Sequence, residues 1–173
     1  DGTSRHRVAR FNSDGTLDPD FNTTVAPFPT VSAVFDAGVQ SNGGVVLVGN
    51  LSATYGNKQH FIIRLNPSGA LDTTFATAAT GVLGASDTFA VHVLPDDRIL
   101  MGGQFSSLTD GTPAPGFQVL NPDGTRNTTF NAGGAGFNFS ANIQDFAQHK
   151  DGAVLVAAAV LSGLTYNGTP VKS

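Results

Sequence analysis

The 173-residue chain contains no cysteine, no tryptophan and no glutamate, and charged residues make up only 13% of it. Without cysteine there are no disulfides, no thiolate metal sites and no thiol nucleophile. Without glutamate every carboxylate is an aspartate, and many stand in turn-like contexts such as Asp14-Gly15 and Asp123-Gly124. Without tryptophan, stacking against a sugar ring falls to the only two tyrosines, Tyr55 and Tyr166. Helix-forming runs of Glu, Lys, Leu and Ala are missing, and Gly, Thr, Ser and Asn fill their place, which reads as all-β. A net charge of −4 with no basic cluster argues against nucleic acid as a partner. No apolar run approaches the length needed to span a membrane. The chain opens at Asp1 with neither Met nor a signal peptide, as a processed chain or an excised piece would.

What is present is repetition. Arg10 to Phe21 reads RFNSDGTLDPDF, Arg64 to Phe75 reads RLNPSGALDTTF, and Val119 to Phe130 reads VLNPDGTRNTTF. At the centre of each lies Asn12 to Gly15, Asn66 to Gly69 or Asn121 to Gly124. Asn accepts a nearby backbone N–H, Pro presets φ, Asp or Ser tolerates the third position, and Gly takes the left-handed conformation. This chemistry predicts a type I turn closed by a bulge, reversing a β-hairpin. Phe21, Phe75 and Phe130 follow at a fixed offset and are expected to anchor each hairpin on the core.

The middle unit predicts four strands: Thr88–Leu94, Arg98–Phe105, Gly116–Leu120 and Thr125–Phe130. Val31–Val39 with Val45–Leu51, and Ile143–Ala147 with Ala153–Leu161, match its first two. Gly49 and Gly102 align, with Ala157 in the third copy, and small residues there suit close sheet-to-sheet packing. Four short strands per unit is the size of a propeller blade. The expected fold is therefore an all-β, propeller-like array of four-stranded antiparallel blades. Residues 1–30 form the C-terminal half of a blade, 31–75 and 87–130 two units, and 141–173 the N-terminal half of another. The two halves are complementary. Three units are too few for a ring of four to eight blades, so either the chain is a segment of a longer array or its open edges invite a protein partner or further copies of the chain.

Arg10, Asn12, Asp14, Gly15, Leu17, Asp18 and Phe21, with their counterparts from Arg64 to Phe75 and from Asn121 to Phe130, resemble the delta-60 repeat of large bacterial proteins. The downstream Asp151-Gly152 and Val154-Leu155-Val156 extend the likeness. The third copy departs at Val119, Arg126, Asn127 and Ala157. The resemblance implies a β-propeller-like repeat in secreted or cell-surface proteins and carries no catalytic residues or cofactor.

Candidate sites are few. Asn12, Asp14 and Asp18 resemble the latter part of a calcium loop. Against that, the first-ligand slot holds Arg10, Arg64 or Val119, and Ser68 replaces a ligand, so the preferred reading is an Asx-stabilised turn. His6 and His60 are repeat-equivalent, while His92 and His149 are not, and no zinc spacing appears. Asp87, Asp96, Asp97 and Asp145 are the carboxylates open to acid–base work. Tyr55 and Tyr166 both fall in the loop after a unit's second strand; loop packing is the preferred reading, with a glycan contact as the alternative. The preferred function is a non-enzymatic structural or interaction module; a carbohydrate-binding propeller and an aspartate-dependent hydrolase with a central-funnel site are the alternatives.

Overall fold

A computed structural model describes residues 7–21, 33–55, 58–75, 82–83, 87–108, 112–132, 136–138, 142–159 and 165–170. The described residues contain strands and turns and no helix. In chain order the strands are β1 (Ala33–Val39), β2 (Val45–Tyr55), β3 (Lys58–Leu65), β4 (Val82–Leu83), β5 (Asp87–Val93), β6 (Ile99–Gln104), β7 (Ser107–Leu108), β8 (Phe117–Leu120), β9 (Ile143–Gln148), β10 (Val154–Ala158), β11 (Thr165–Tyr166) and β12 (Thr169–Pro170).

They pair into antiparallel sheets ordered β1-β2-β3 and β5-β6-β8, a β9-β10 pair, and the two-residue pairs β4-β7 and β11-β12. One turn design joins the first two strands of every unit. Gly43 N–H donates to Gln40 O, Asp97 N–H to Leu94 O and Gly152 N–H to His149 O, each at 2.9 Å. The same design recurs after each third strand, with Gly15, Gly69 and Gly124 donating to Asn12, Asn66 and Asn121 at 2.9 Å. Those three glycines have φ of 83°, 86° and 84°, the left-handed setting that the sequence requires of them.

Sheets pack face to face in sequence. Along β2, Val46 and Val48 point to one side and Val45 and Leu47 to the other, as strand alternation demands. The first pair meets Ile99, Met101, Phe105 and Leu120 of the following unit across Phe75. The second pair meets Phe21, with Val8 beside them. A third layer joins Leu100 and Val119 to Ile143 and Phe146. Each hydrophobic layer thus lies between successive units, the arrangement of propeller blades.

Two expectations need correction. The fourth strand, Thr125–Phe130, does not form. The chain makes single bridges, Phe11 with Leu17, Leu65 with Leu71 and Leu120 with Arg126, and then turns. The cause is local: Asp72 Oδ1 accepts both the N–H and the hydroxyl of Thr74, curling the chain into an Asx turn, and Asn127 Oδ1 does the same with Thr129 and Phe130 N–H. Among the described residues the sheets are two- and three-stranded, and they do not close a ring. The second correction concerns Phe130. Phe21 and Phe75 are buried at 1% and 0% exposure, but Phe130 is 37% exposed and rests edge-on against Phe117. Phe21 packs on Ile63 and Leu65 of β3, and Phe75 on Leu120 of β8. Among the described residues the β9-β10 pair has no third strand.

The aligned glycines differ as well. A Cβ on Gly102 would strike the side chains of Ile143 and Phe146 in the next sheet, as expected. On Gly49 it would strike the Ala33 carbonyl of its own sheet, where β1 bulges between Val34 and Asp36.

Candidate functional site

The repeated motif builds a clasp. Arg64 lies on β3, one residue before the strand ends, and Asp72 lies just beyond the hairpin turn. Asp72 N–H donates to Arg64 O at 2.8 Å, which draws the two side chains together. Arg64 Nε and Nη2 donate to Asp72 Oδ2 at 2.9 and 2.7 Å, and the guanidinium sits 4.7 Å over the Phe75 ring. Arg10 repeats this with Asp18 at 2.7 Å and Phe21 at 4.8 Å. The sandwich uses both faces of arginine chemistry, the donor fork and the flat cation.

The clasp also reaches forward. Arg10 Nη1 donates to Pro67 O at 2.9 Å, and Arg64 Nη1 donates to Pro122 O at 2.8 Å. Pro67 and Pro122 occupy the same position in successive turns, so each arginine binds the hairpin of the unit after its own. Arg64 Nη1 also donates to Gln40 Oε1 at 2.9 Å, while Gln40 Nε2 donates to Pro122 O at 2.9 Å. Beside it, Asp97 binds the backbone N–H of Ser41 at 2.7 Å and accepts from its hydroxyl, tying the turns of two neighbouring units. Asp97 holds φ at 64°, where the equivalent Gly43 and Gly152 sit.

The electrostatics follow the contacts. Asp18 is held below its ordinary pKa of 3.8, chiefly by Arg10 and then by the Asp20 N–H. For Asp72 burial alone would raise the pKa, but the Thr74 and Arg64 hydrogen bonds together outweigh it and lower it. Ser41 lowers Asp97, and the Thr16 and Thr125 hydroxyls lower Asp14 and Asp123. These carboxylates stay ionised across the neutral range.

The sequence-predicted site residues fall in several places. Asn12, Asp14 and Asp18 share one hairpin, but Asp14 takes the Thr16 N–H and hydroxyl, Asn12 donates to Thr16, and Asp18 faces Arg10. Asn12, Asn66 and Asn121 with Gly15, Gly69 and Gly124 form the turns described above. Asp96 turns to Arg98 at 2.7 Å while adjacent Asp97 turns to Ser41, so the pair splits. Asp145 accepts the Phe146 N–H. His149 faces Asp151 at 2.9 Å. His6 and the side chains of Tyr55, His60 and Asp87 lie outside what the structure describes.

Tyr166 lines a cleft of about 180 Å³ with Phe117, Phe130, Phe137, Arg126 and Asn127. Its ring meets Phe137 edge-on at 5.0 Å, and burial raises its pKa. Around the cleft, Asn167 donates to Asn131 at 2.6 Å and accepts the Gly136 N–H at 2.8 Å, pinning the β11-β12 hairpin.

The clasp is what the sequence reading missed. Its signal is the joint behaviour of two positions: Arg and Asp occur together at a spacing of eight in the first two copies and are lost together in the third, where Val119 and Asn127 stand. There Asn127 Nδ2 donates to Asn121 Oδ1 at 2.7 Å instead.

A family described as a domain of unknown function (DUF5122) β-propeller matches residues 1–21, 40–75 and 94–130, more than half of the chain. No curated protein matches it. The chain belongs to this family of β-propeller repeats.

Proposed function

We propose that the chain is a non-enzymatic structural and interaction module of a secreted or cell-surface bacterial protein, and that its units are of the delta-60 type. It presents rigid hairpins and open sheet edges for protein association or adhesion. The observation that carries this reading is the forward reach of the clasp at two successive joints, Arg10 to Pro67 and Arg64 to Pro122. The motif's charged residues serve the joining of unit to unit, so the repeated chemistry is that of a scaffold. Loops and edges are then the surfaces left for partners. Sedimentation velocity over a wide concentration range, together with a panel of ester, phosphoester and glycoside substrates, tests it. The expected result is concentration-dependent association and no turnover. A monomer whose turnover disappears in Asp96→Asn or Asp97→Asn would replace this reading with the hydrolase.

A second reading, carbohydrate binding, is favoured by one feature: Tyr166 stands in a cleft that also holds Arg126 and Asn127, groups suited to sugar hydroxyls. A glycan array should give no hits that Tyr166→Ala abolishes; such hits would favour the lectin.

A further inference from the structure

Asparagine followed by glycine is the pair most open to attack by the backbone on the side chain, because glycine carries nothing that shields its nitrogen. The chain holds two such pairs, Asn42-Gly43 and Asn167-Gly168, and the fold treats them differently. Asn66 and Asn121 stand outside this chemistry, since each precedes a proline whose nitrogen has no hydrogen.

Asn42 is an exposed residue in the turn between β1 and β2. Its Oδ1 accepts the Gly44 N–H at 2.8 Å, an Asx turn that folds the side chain over the Gly43 peptide. Three features of this turn suit ring closure. The Gly43 N–H donates to Gln40 O at 2.9 Å, which enriches the attacking nitrogen in electron density. The Gly44 N–H points at the oxygen where negative charge gathers as Cγ becomes tetrahedral, as an oxyanion donor does. Among the described residues Asn42 Nδ2 has no hydrogen-bond partner, so the leaving group is not held.

Asn167 is held at both amide atoms. Its Nδ2 donates to Asn131 Oδ1 at 2.6 Å, and its Oδ1 accepts the Gly136 N–H at 2.8 Å. These partners lie 36 and 31 residues upstream, so the side chain is drawn away from its own backbone.

We propose that Asn42 is a self-modification site. Gly43 N bonds to Asn42 Cγ, the Cγ–Nδ2 bond breaks, and ammonia leaves, taking up through solvent the proton that Gly43 gives up. Water then opens the five-membered imide. Opening at the side-chain carbonyl gives aspartate; opening at the main-chain carbonyl gives isoaspartate, with the backbone routed through the side chain.

The two products act differently on the fold. Aspartate fits the turn: Asp96 and Asp151 hold the same position in the next two units and accept the N–H two residues on, at 3.2 and 2.9 Å. It also brings a carboxylate toward the clasp, because a Cβ built on Gly44 would lie 3.0 Å from Asn42 Oδ1 and 3.2 Å from Arg64 Cδ. Isoaspartate inserts a methylene into the backbone of the turn. That breaks the Gly43-to-Gln40 hydrogen bond and displaces Ser41, which Asp97 of the following unit holds. The reaction therefore loosens the tie between two units.

Ageing of the native chain at mildly alkaline pH, followed by peptide mapping, tests this. Asn42 should exchange NH for O, with heavy oxygen incorporated from labelled water, faster than Asn167 on the order of tenfold or more. In urea the two pairs should react alike, because the discrimination belongs to the fold. Asn131→Ala frees the Asn167 amide and should raise the rate there toward that of Asn42. Ion exchange should separate two acidic products. One should match Asn42→Asp in its urea midpoint; the isoaspartyl form should unfold at lower urea. Asn42→Ser should abolish both. A native chain in which Asn167 keeps pace with Asn42, or in which neither reacts while the urea-unfolded chain does, overturns the proposal. An isoaspartyl form as stable as Asn42→Asp overturns the effect on the joint.

Discussion

Replacing Arg64 by alanine is the sharpest test of how these units hold together. The guanidinium has four acceptor contacts: two to Asp72 Oδ2, one to Gln40 Oε1 and one to Pro122 O. It also covers the Phe75 ring. Its side chain is 14% exposed and that of Asp72 is 19%. Hydrogen bonds to charged groups contribute roughly 1.5–3 kcal/mol, and a stacked cation adds about 1, but contacts sharing one group do not sum. The carboxylate left behind costs more than any one of these contacts. Asp72 is half-buried, and breaking a buried pair from one side costs roughly 3–5 kcal/mol against under 1 for a surface pair. A loss of about 3 kcal/mol follows for Arg64→Ala.

Urea unfolding monitored by far-UV circular dichroism measures it. With a slope of roughly 2 kcal/mol per molar, the midpoint should fall by about 1.5 M. Arg64→Lys keeps the charge but loses the fork and the flat stacking face, so it should lose at least half as much. Arg10→Ala should lose less, because Arg10 is 40% exposed and lacks the Gln40 contact. If Arg64→Ala costs no more than Arg10→Ala, or if Arg64→Lys behaves as wild type, the clasp is not what joins the units.

The lowered pKa values of Asp72, Asp18 and Asp97 give a signed pH dependence. Their stabilisation is complete above the unfolded carboxylate pKa of about 4 and is lost as pH falls through the lower folded values. Melting temperature should therefore drop below about pH 4, and less steeply in Asp72→Asn; a drop centred near pH 6.5 would point to histidine instead. Gly102→Ala should destabilise by about 2 kcal/mol in the same urea titration, since its Cβ meets Ile143 and Phe146 across the sheet interface. Thr88 is fully buried and its hydroxyl has no partner among the described residues, so Thr88→Val should be neutral or stabilising by about 1 kcal/mol. Asp97→Gly should lower the urea midpoint although it relieves a positive φ, because the Ser41 contacts vanish with the carboxylate; a raised midpoint would show that backbone strain dominates there.

Much of this fold was legible because its punctuation is chemical. An Asn-Pro-Asp-Gly run fixes a reversal within four residues, and the three glycines do share one backbone setting. The alternating runs before the second and third turns became β3 and β8, while the run before the first makes only the Phe11–Leu17 bridge among the described residues. The arm after the turn was misread because Thr125–Phe130 carries strand-like residues while Asn127 commits its side chain to local N–H groups, a contest that strand propensity does not weigh. Phe130 was misjudged for a different reason. Burial depends on which strand lies alongside, and a residue's own repeat position cannot report that. The clasp was hidden because its third contact is a backbone carbonyl 57 or 58 residues away. A carbonyl leaves no trace in residue identity, although the paired loss of Arg and Asp in the third copy did.

That paired loss changes the character of the joint it sits in. The first two joints combine an apolar layer with a charged clasp. The third lacks the arginine, and the Phe117 ring lies 5.8–6.0 Å from those of Phe130, Phe137 and Phe146. Aromatic contacts are less directional than a guanidinium bound to a fixed carbonyl, and they contribute without requiring the next hairpin to be in place. Substituting Val119 by arginine would place a cation opposite Asn127 instead of a carboxylate and should lower the urea midpoint, and adding Asn127→Asp should recover part of the loss.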